Sequence, residues 1–146
     1  MTWLPLAAAV LAALGAVWWL RRRYLTVTVD GPSMLPTYRP GERLLVRRIP
    51  PAALRSGQVV VFTASPPPPP APQRPARIVK RVAAAPGDPI PRDTVPALRT
   101  VPGNHVPPGR VVLLGDNPVV SHDSRRSGYY PTTRLLGVVI RRLGAP

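Results

Sequence analysis

An uninterrupted apolar stretch near the N-terminus constrains the fold of this 146-residue chain more than any other feature. Residues 3–20 carry no charged side chain, and Arg21-Arg22-Arg23 follows at once. As a helix this stretch would be about 27 Å long, enough to cross the hydrocarbon core of a bilayer. Trp18 and Trp19 lie at its end, where interfacial aromatic residues are typical. The sequence therefore predicts a membrane anchor over residues 1–23, with a helix at about 3–20, and a separate domain over residues 24–146.

A cleaved signal peptide is the competing interpretation of the same stretch. No basic segment precedes the apolar run, and its Ala7-Ala8-Ala9 pattern lies too near the start to follow an apolar core. An anchor therefore explains the stretch better. The three arginines that follow it predict, by the positive-inside rule, that the remaining domain is cytoplasmic.

After residue 23 the pattern predicts strands and no long helix. Short runs of β-branched residues recur between Gly and Pro turns, and no helix start signal precedes a long periodic run. The predicted strands are residues 25–29, 43–47, 58–63, 77–82, 110–114 and 135–142. A Pro-rich loop at 64–76, with its proline run at 66–70, cannot pair in a sheet and is predicted to be a connector. The predicted fold class is mainly β, with a single N-terminal transmembrane helix followed by a compact all-β domain.

Ser33 lies in a stiff turn directly after the first predicted strand. Two prolines fix φ and remove two N–H donors, and a glycine permits a tight backbone, in the segment Asp30-Gly31-Pro32-Ser33-Met34-Leu35-Pro36-Thr37. A serine hydroxyl is a poor nucleophile, so a serine presented in this way needs a base within hydrogen-bond reach.

Lys80 is the only lysine among the 20 Lys and Arg residues. The side-chain period of a strand places it on one face with Ile78 and Val82. Burial between two aliphatic neighbours disfavours the ammonium and lowers the pKa of the lysine, so that a neutral amine could take the proton of Ser33. The alternative is a lysine on an edge strand whose amine reaches solvent.

Three segments, in this order, resemble the serine, lysine and third boxes of type I signal peptidases. They are Gly31-Pro32-Ser33-Met34-Leu35-Pro36-Thr37, then Arg77-Ile78-Val79-Lys80-Arg81-Val82 with Pro86-Gly87-Asp88, then Gly115-Asp116-Asn117 with Ser121-His122-Asp123-Ser124-Arg125 and Gly128. Together they frame most of the chain, from residue 29 to residue 131. The resemblance implies a membrane-bound serine endopeptidase that removes signal peptides with a Ser/Lys dyad and works outside the cytoplasm, against the charge bias of the flank.

The resemblance also implies roles for individual residues. Ser33 is the nucleophile, and its backbone N–H donates a hydrogen bond to the oxyanion. Gly31 occupies the position at which many members of the family have a hydroxyl side chain that also donates to the oxyanion. Lys80 is the general base. The implied supporting residues are Ser121, which orients the lysine, a charge cluster of Asp123, Arg81 and Arg125, and the turn residues Asp116 and Asn117. Shallow pockets for small side chains are implied at Val29, Met34, Ile78 and Val79.

A Ser-His-Asp arrangement is a weaker alternative for the same segment. His122 and Asp123 are adjacent in the chain, so their side chains point in different directions and the carboxylate is poorly placed to orient the imidazole. Lys80 therefore remains the preferred base, with Asp123 expected to pair with Arg81.

Composition limits the partners. The net charge is +14 with few aromatic residues, which favours anionic membrane lipid over nucleic acid. The chain has no cysteine, which excludes a thiol nucleophile, and the resemblance implies no metal and no organic cofactor. The expected substrates are preproteins with small residues before the cleavage site. Two alternatives stay open: a maturation protease dedicated to one precursor, and an inactive, basic, membrane-anchored binding protein.

Overall fold

The computed structural model describes residues 3–64 and 76–144, so the proline run at 66–70 lies outside the described residues. Helix α1 (Trp3–Arg23) is long and apolar enough, by length and composition, to cross a membrane. It continues three residues past the predicted end at residue 20. The guanidinium groups of Arg22 and Arg23 stack over the rings of Trp18 and Trp19, at 4.0 and 4.9 Å from the ring centroids, which favours the extra turn.

Seven strands form one sheet in the order β1-β2-β7-β3-β4-β5-β6, and all neighbours are antiparallel. The strands are β1 (Tyr24–Thr28), β2 (Arg43–Arg47), β3 (Val59–Thr63), β4 (Arg77–Ala84), β5 (Arg110–Leu114), β6 (Tyr130–Pro131) and β7 (Leu135–Gly144). Beyond α1, the described residues hold one four-residue helix, α2 (Ser124–Ser127), and short 3₁₀ turns. The predicted fold class, mainly β with one N-terminal apolar helix, is confirmed.

Strand β3 lies at the centre of the core and is buried on both faces, as its apolar sequence predicted. Val59 and Val61 pack into one cluster with residues of β1, β2 and the Ser33 turn. Val60 and Phe62 pack into a second cluster on the opposite face, with residues of β4 and β5. Because each face of the sheet has its own apolar cluster, β4, the strand that carries Lys80, is packed on both faces.

One edge of β4 is only half paired. Residues 77–81 pair with β3 along their whole length, whereas pairing with β5 begins at Arg81. Within the described residues, the other edge of 77–80 therefore has no strand partner. Beyond the end of β5, the chain turns at Gly115 and runs through Ser121 to α2, which places the third motif beside Lys80.

Candidate active site

Lys80 is buried, with only 4% of its surface exposed, and its amine is held by a second buried group. The Nζ atom donates a hydrogen bond of 2.8 Å to Oγ of Ser121, which is itself buried. Burial lowers the pKa of Lys80 below its ordinary value; the negative charge of Asp123 opposes this, and the positive charge of Arg125 adds to it. The burial that the strand alternation predicted is observed, and it favours the neutral amine over the ammonium.

The Ser33 turn is hydrogen-bonded to the turn that follows β5. The backbone N–H of Asn117 donates to the carbonyl of Ser33 at 3.0 Å, and the Asn117 side chain donates to the carbonyl of Pro32 at 3.2 Å. Asn117 in turn accepts a hydrogen bond from the backbone N–H of Ser121. Three segments far apart in sequence therefore meet, with Ser33 half-buried at one side and Lys80 at the other.

Gly115 is the point at which these segments touch. A Cβ atom added there would collide with Oγ of Ser121 and would lie 2.7 Å from the carbonyl oxygen of Ser33. The Ser33 carbonyl and the Ser121 hydroxyl, which binds Lys80, therefore both lie directly against Gly115. The position requires a small residue and not a left-handed backbone, since Gly115 does not have a positive φ.

Two ion pairs support the site, and one of them differs from the expected pair. Arg81 was expected to pair with Asp123, but its guanidinium makes two hydrogen bonds to the carboxylate of Asp116, at 2.9 and 2.7 Å. Asp116 also accepts a hydrogen bond from the hydroxyl of Thr37 at 2.6 Å. Arg81 points away from the face on which Lys80 meets Ser121, and the carboxylate of Asp123 is already bonded to the N-terminus of α2 and to Arg125. The pairing with Arg81 lowers the pKa of Asp116.

Asp123 is fully buried and caps the N-terminus of α2. Its carboxylate accepts hydrogen bonds from the backbone N–H groups of Gly115 and Arg125 and from the Arg125 guanidinium, at 2.7 to 3.0 Å. Asp123 therefore fixes the turn that carries Ser121. The pair that the charge cluster predicted exists with Arg125 and not with Arg81.

His122 is exposed, and its Nε2 lies 2.8 Å from Oγ of Ser127. The Asp123 carboxylate bonds to backbone N–H groups and to Arg125, so the adjacent His and Asp do not form a pair. The geometry gives a Ser-His-Asp arrangement no support.

The four residues expected to line substrate pockets fall on two faces of the sheet. Val29, Met34 and Val79 are buried together in the first apolar cluster. Ile78 packs against the second cluster on the opposite face. The described residues contain no group of three or more His, Asp or Glu side chains that could hold a metal ion.

Sequence reasoning missed three features of the site. The approach of Gly115 to Ser33, the Thr37–Asp116 hydrogen bond and the Arg81–Asp116 pair each join residues more than 30 positions apart. The sequence Gly115-Asp116-Asn117 predicts a turn after β5, but a local pattern cannot identify residues that are distant in sequence and contact that turn.

The comparisons with known proteins agree with the fold and with the three motifs. The chain matches the family model described as "Signal peptidase, peptidase S26" over residues 2–96 and 91–143. It is also similar to the "Probable signal peptidase I-1" of Synechocystis sp., with 29% identity over 163 residues that cover 95% of this chain and 79% of the relative. A mainly β domain with these motifs and relatives defines a serine endopeptidase of the signal peptidase type. The chain belongs to the signal peptidase family, peptidase S26.

Proposed function

We propose that this protein removes signal peptides from secreted preproteins at the membrane surface, with Ser33 as nucleophile and Lys80 as general base. One observation carries the proposal. The only lysine of the chain is buried, has a lowered pKa and is oriented by Ser121, and a Cβ atom at Gly115 would meet both the Ser121 hydroxyl and the carbonyl of Ser33. Family membership supports signal-peptide removal by a serine peptidase, and the assignment of the dyad is our own.

The reaction follows from the protonation state of Lys80. The neutral amine takes the proton of the Ser33 hydroxyl as the oxygen attacks the carbonyl carbon of the scissile bond. The resulting ammonium then gives a proton to the leaving amine, and an acyl-enzyme on Ser33 remains. Lys80 next takes a proton from a water molecule that attacks the ester carbon. The bond from that carbon to Ser33 Oγ then breaks, the Lys80 ammonium returns the proton to Oγ, and the signal peptide is released. Ser121 keeps the amine oriented throughout.

The oxyanion formed in each step needs hydrogen-bond donors. The backbone N–H of Ser33 makes no hydrogen bond within the described part of the chain and is available for this role. Gly31 supplies no side-chain donor, and the loss of one donor can cost about 3 kcal/mol of transition-state stabilisation. The oxyanion hole of this protein therefore depends chiefly on the backbone.

The unpaired edge of β4 is the proposed docking site for substrate. A peptide in extended conformation can add to such an edge through main-chain hydrogen bonds, while pockets select its side chains. Val29 and Met34 are close to Ser33 in the sequence, and Val79 packs with them in the first apolar cluster. We propose that these three residues form the pocket that accepts a small side chain of the substrate.

The test compares wild type with Ser33→Ala on a labelled preprotein. Wild type is expected to release the signal peptide, and Ser33→Ala is expected to release none because it lacks the nucleophile. Ser56→Ala is the matched control, since this exposed serine bonds only to the carbonyl of Ala83. Cleavage by Ser33→Ala would overturn the proposal, and cleavage of a single precursor in a panel would favour a dedicated maturation protease.

The proposed topology is a single span by α1 with the domain outside the cytoplasm. Protease added to intact spheroplasts is expected to digest the domain, as it digests an extracytoplasmic marker protein. Arg21, Arg22 and Arg23 argue for the opposite orientation. Protection of the domain until the cells are lysed would show that the charge bias, and not the proposed function, sets the orientation.

A further inference from the structure

Five arginines from two segments of the chain lie together where helix α1 meets the sheet. Arg21, Arg22 and Arg23 form the last turn of α1, and β1 begins at the next residue, so no linker separates the helix from the sheet. The end of β2 returns to the same place. Arg47 lies opposite the first residue of β1, and the backbone N–H of Arg48 donates to the carbonyl of Arg23 at 2.8 Å. We call these five arginines the basic collar.

The basic collar has no acidic partner within residues 3–64 and 76–144. All five of its arginines are exposed, and the carboxylates of Glu42, Asp116 and Asp123 form ion pairs with other arginines. Residues 1–29 and 43–87 contain no acidic residue at all. Like charges held close together repel each other, and an anion from outside the chain relieves that repulsion. The collar is therefore a site for an external anion.

The position of the collar on α1 indicates which anion it meets. The α1 helix is long and apolar enough to cross a membrane, and tryptophans at the end of such a helix lie at the level of the lipid headgroups. The guanidinium groups of Arg22 and Arg23 stack over Trp18 and Trp19, so they lie at the same level as these rings. With α1 in a bilayer, lipid phosphates are the anions nearest to the collar.

We propose that the basic collar binds the headgroups of anionic phospholipids and so holds the catalytic domain against the bilayer surface. Arg47 and Arg48 are the informative members, since they are far from the helix in sequence and only the fold of the sheet brings them to it. An arginine near an anionic membrane strengthens binding roughly fivefold, and the effect fades within a Debye length. The proposal rests on the proposed span by α1 and does not depend on Ser33 or Lys80.

The test titrates phosphatidylglycerol or phosphatidylcholine into the full-length protein in a non-ionic detergent and measures the bound lipid by native mass spectrometry. Wild type is expected to bind phosphatidylglycerol more tightly than phosphatidylcholine. Arg47→Gln/Arg48→Gln is expected to weaken phosphatidylglycerol binding roughly five- to twenty-five-fold and to leave phosphatidylcholine binding unchanged, because only the anionic headgroup gains from the two charges. Arg47→Lys/Arg48→Lys keeps both charges and is expected to retain most of the wild-type affinity.

Arg43→Gln/Arg99→Gln is the matched control, since it removes two exposed arginines outside the collar. Arg43 begins β2, about 14 Å along the strand from Arg47, which exceeds the Debye length of about 8 Å at physiological salt. The control is therefore expected to keep wild-type affinity for phosphatidylglycerol. An equal loss in the control would show that net charge alone attracts the lipid, and unchanged binding in Arg47→Gln/Arg48→Gln would show that the end of α1 acts by itself.

Either of these two results would overturn the collar, as would equal binding of the two lipids by wild type. The same preparations are assayed for cleavage of a labelled preprotein, which tests the proposed function separately. Wild type that selects phosphatidylglycerol but cleaves nothing would overturn the proposed function and leave the collar in place. Wild type that cleaves the preprotein without selecting between the lipids would do the reverse.

Discussion

Lys80→Arg is expected to be as inactive as Lys80→Ala, with kcat/KM reduced roughly a thousandfold or more, because the general base is lost in both. Arginine keeps the positive charge and most of the length, but its guanidinium does not give up a proton near neutral pH. It therefore cannot take the proton of Ser33. It also brings a permanent charge into a site that buries all but 4% of the lysine.

Steady-state kinetics on one peptide substrate, with circular dichroism of each variant, would check this expectation. Arg99→Lys, a change between the same two residue types at an exposed position, is the control and is expected to retain wild-type kinetics. Partial activity in a folded Lys80→Arg enzyme would show that residue 80 serves only as a structural cation.

Gly115→Ala is expected to lower kcat/KM by about a hundredfold, because a misplacement of roughly 1 Å between reacting groups has a cost of that size. The added methyl group would press on the hydroxyl of Ser121 and on the carbonyl of Ser33, 2.7 Å away. It would push apart the two segments that hold the nucleophile and the base. No group that takes part in the chemistry is removed, so the loss measures positioning alone.

The same kinetic assay, combined with thermal unfolding, would check the effect of Gly115→Ala. Gly15→Ala in α1 is the matched control, since an added Cβ there meets no atom within 4 Å and alanine favours a helix. Wild-type activity in Gly115→Ala would mean that the contact at Gly115 does not set the distance between the two catalytic segments.

The strands were predictable from the sequence because local patterns decide them. Residues 43–47 and 110–114 were predicted with the observed bounds, and the apolar sequence of β3 correctly implied burial on both faces. The short strand β6 has only two residues and depends on pairing with β5, so no periodicity could reveal it.

The partners of the charged residues could not be predicted from the sequence. The alternation of β4 correctly separated Arg81 from Lys80, but two carboxylates follow β5 within nine residues and the pattern does not say which one Arg81 meets. Helix α2 determines the pairing. Asp123 caps its N-terminus, so Asp116 is the carboxylate that pairs with Arg81. Tertiary packing likewise brings Gly115 against the carbonyl of Ser33, which no local pattern predicts.

The central claim, that a buried neutral lysine is the base, is tested most directly by kcat/KM measured against pH, since this ratio reports the free enzyme. Burial lowers the pKa of Lys80, and only the neutral amine accepts the serine proton, so activity rises with pH through that pKa and is lost in acid. The account predicts a limb below the ordinary lysine value of about 10.4, and at the same pH in His122→Ala. A limb at the ordinary lysine value would contradict it, as would one near about 6.5 that disappears in His122→Ala.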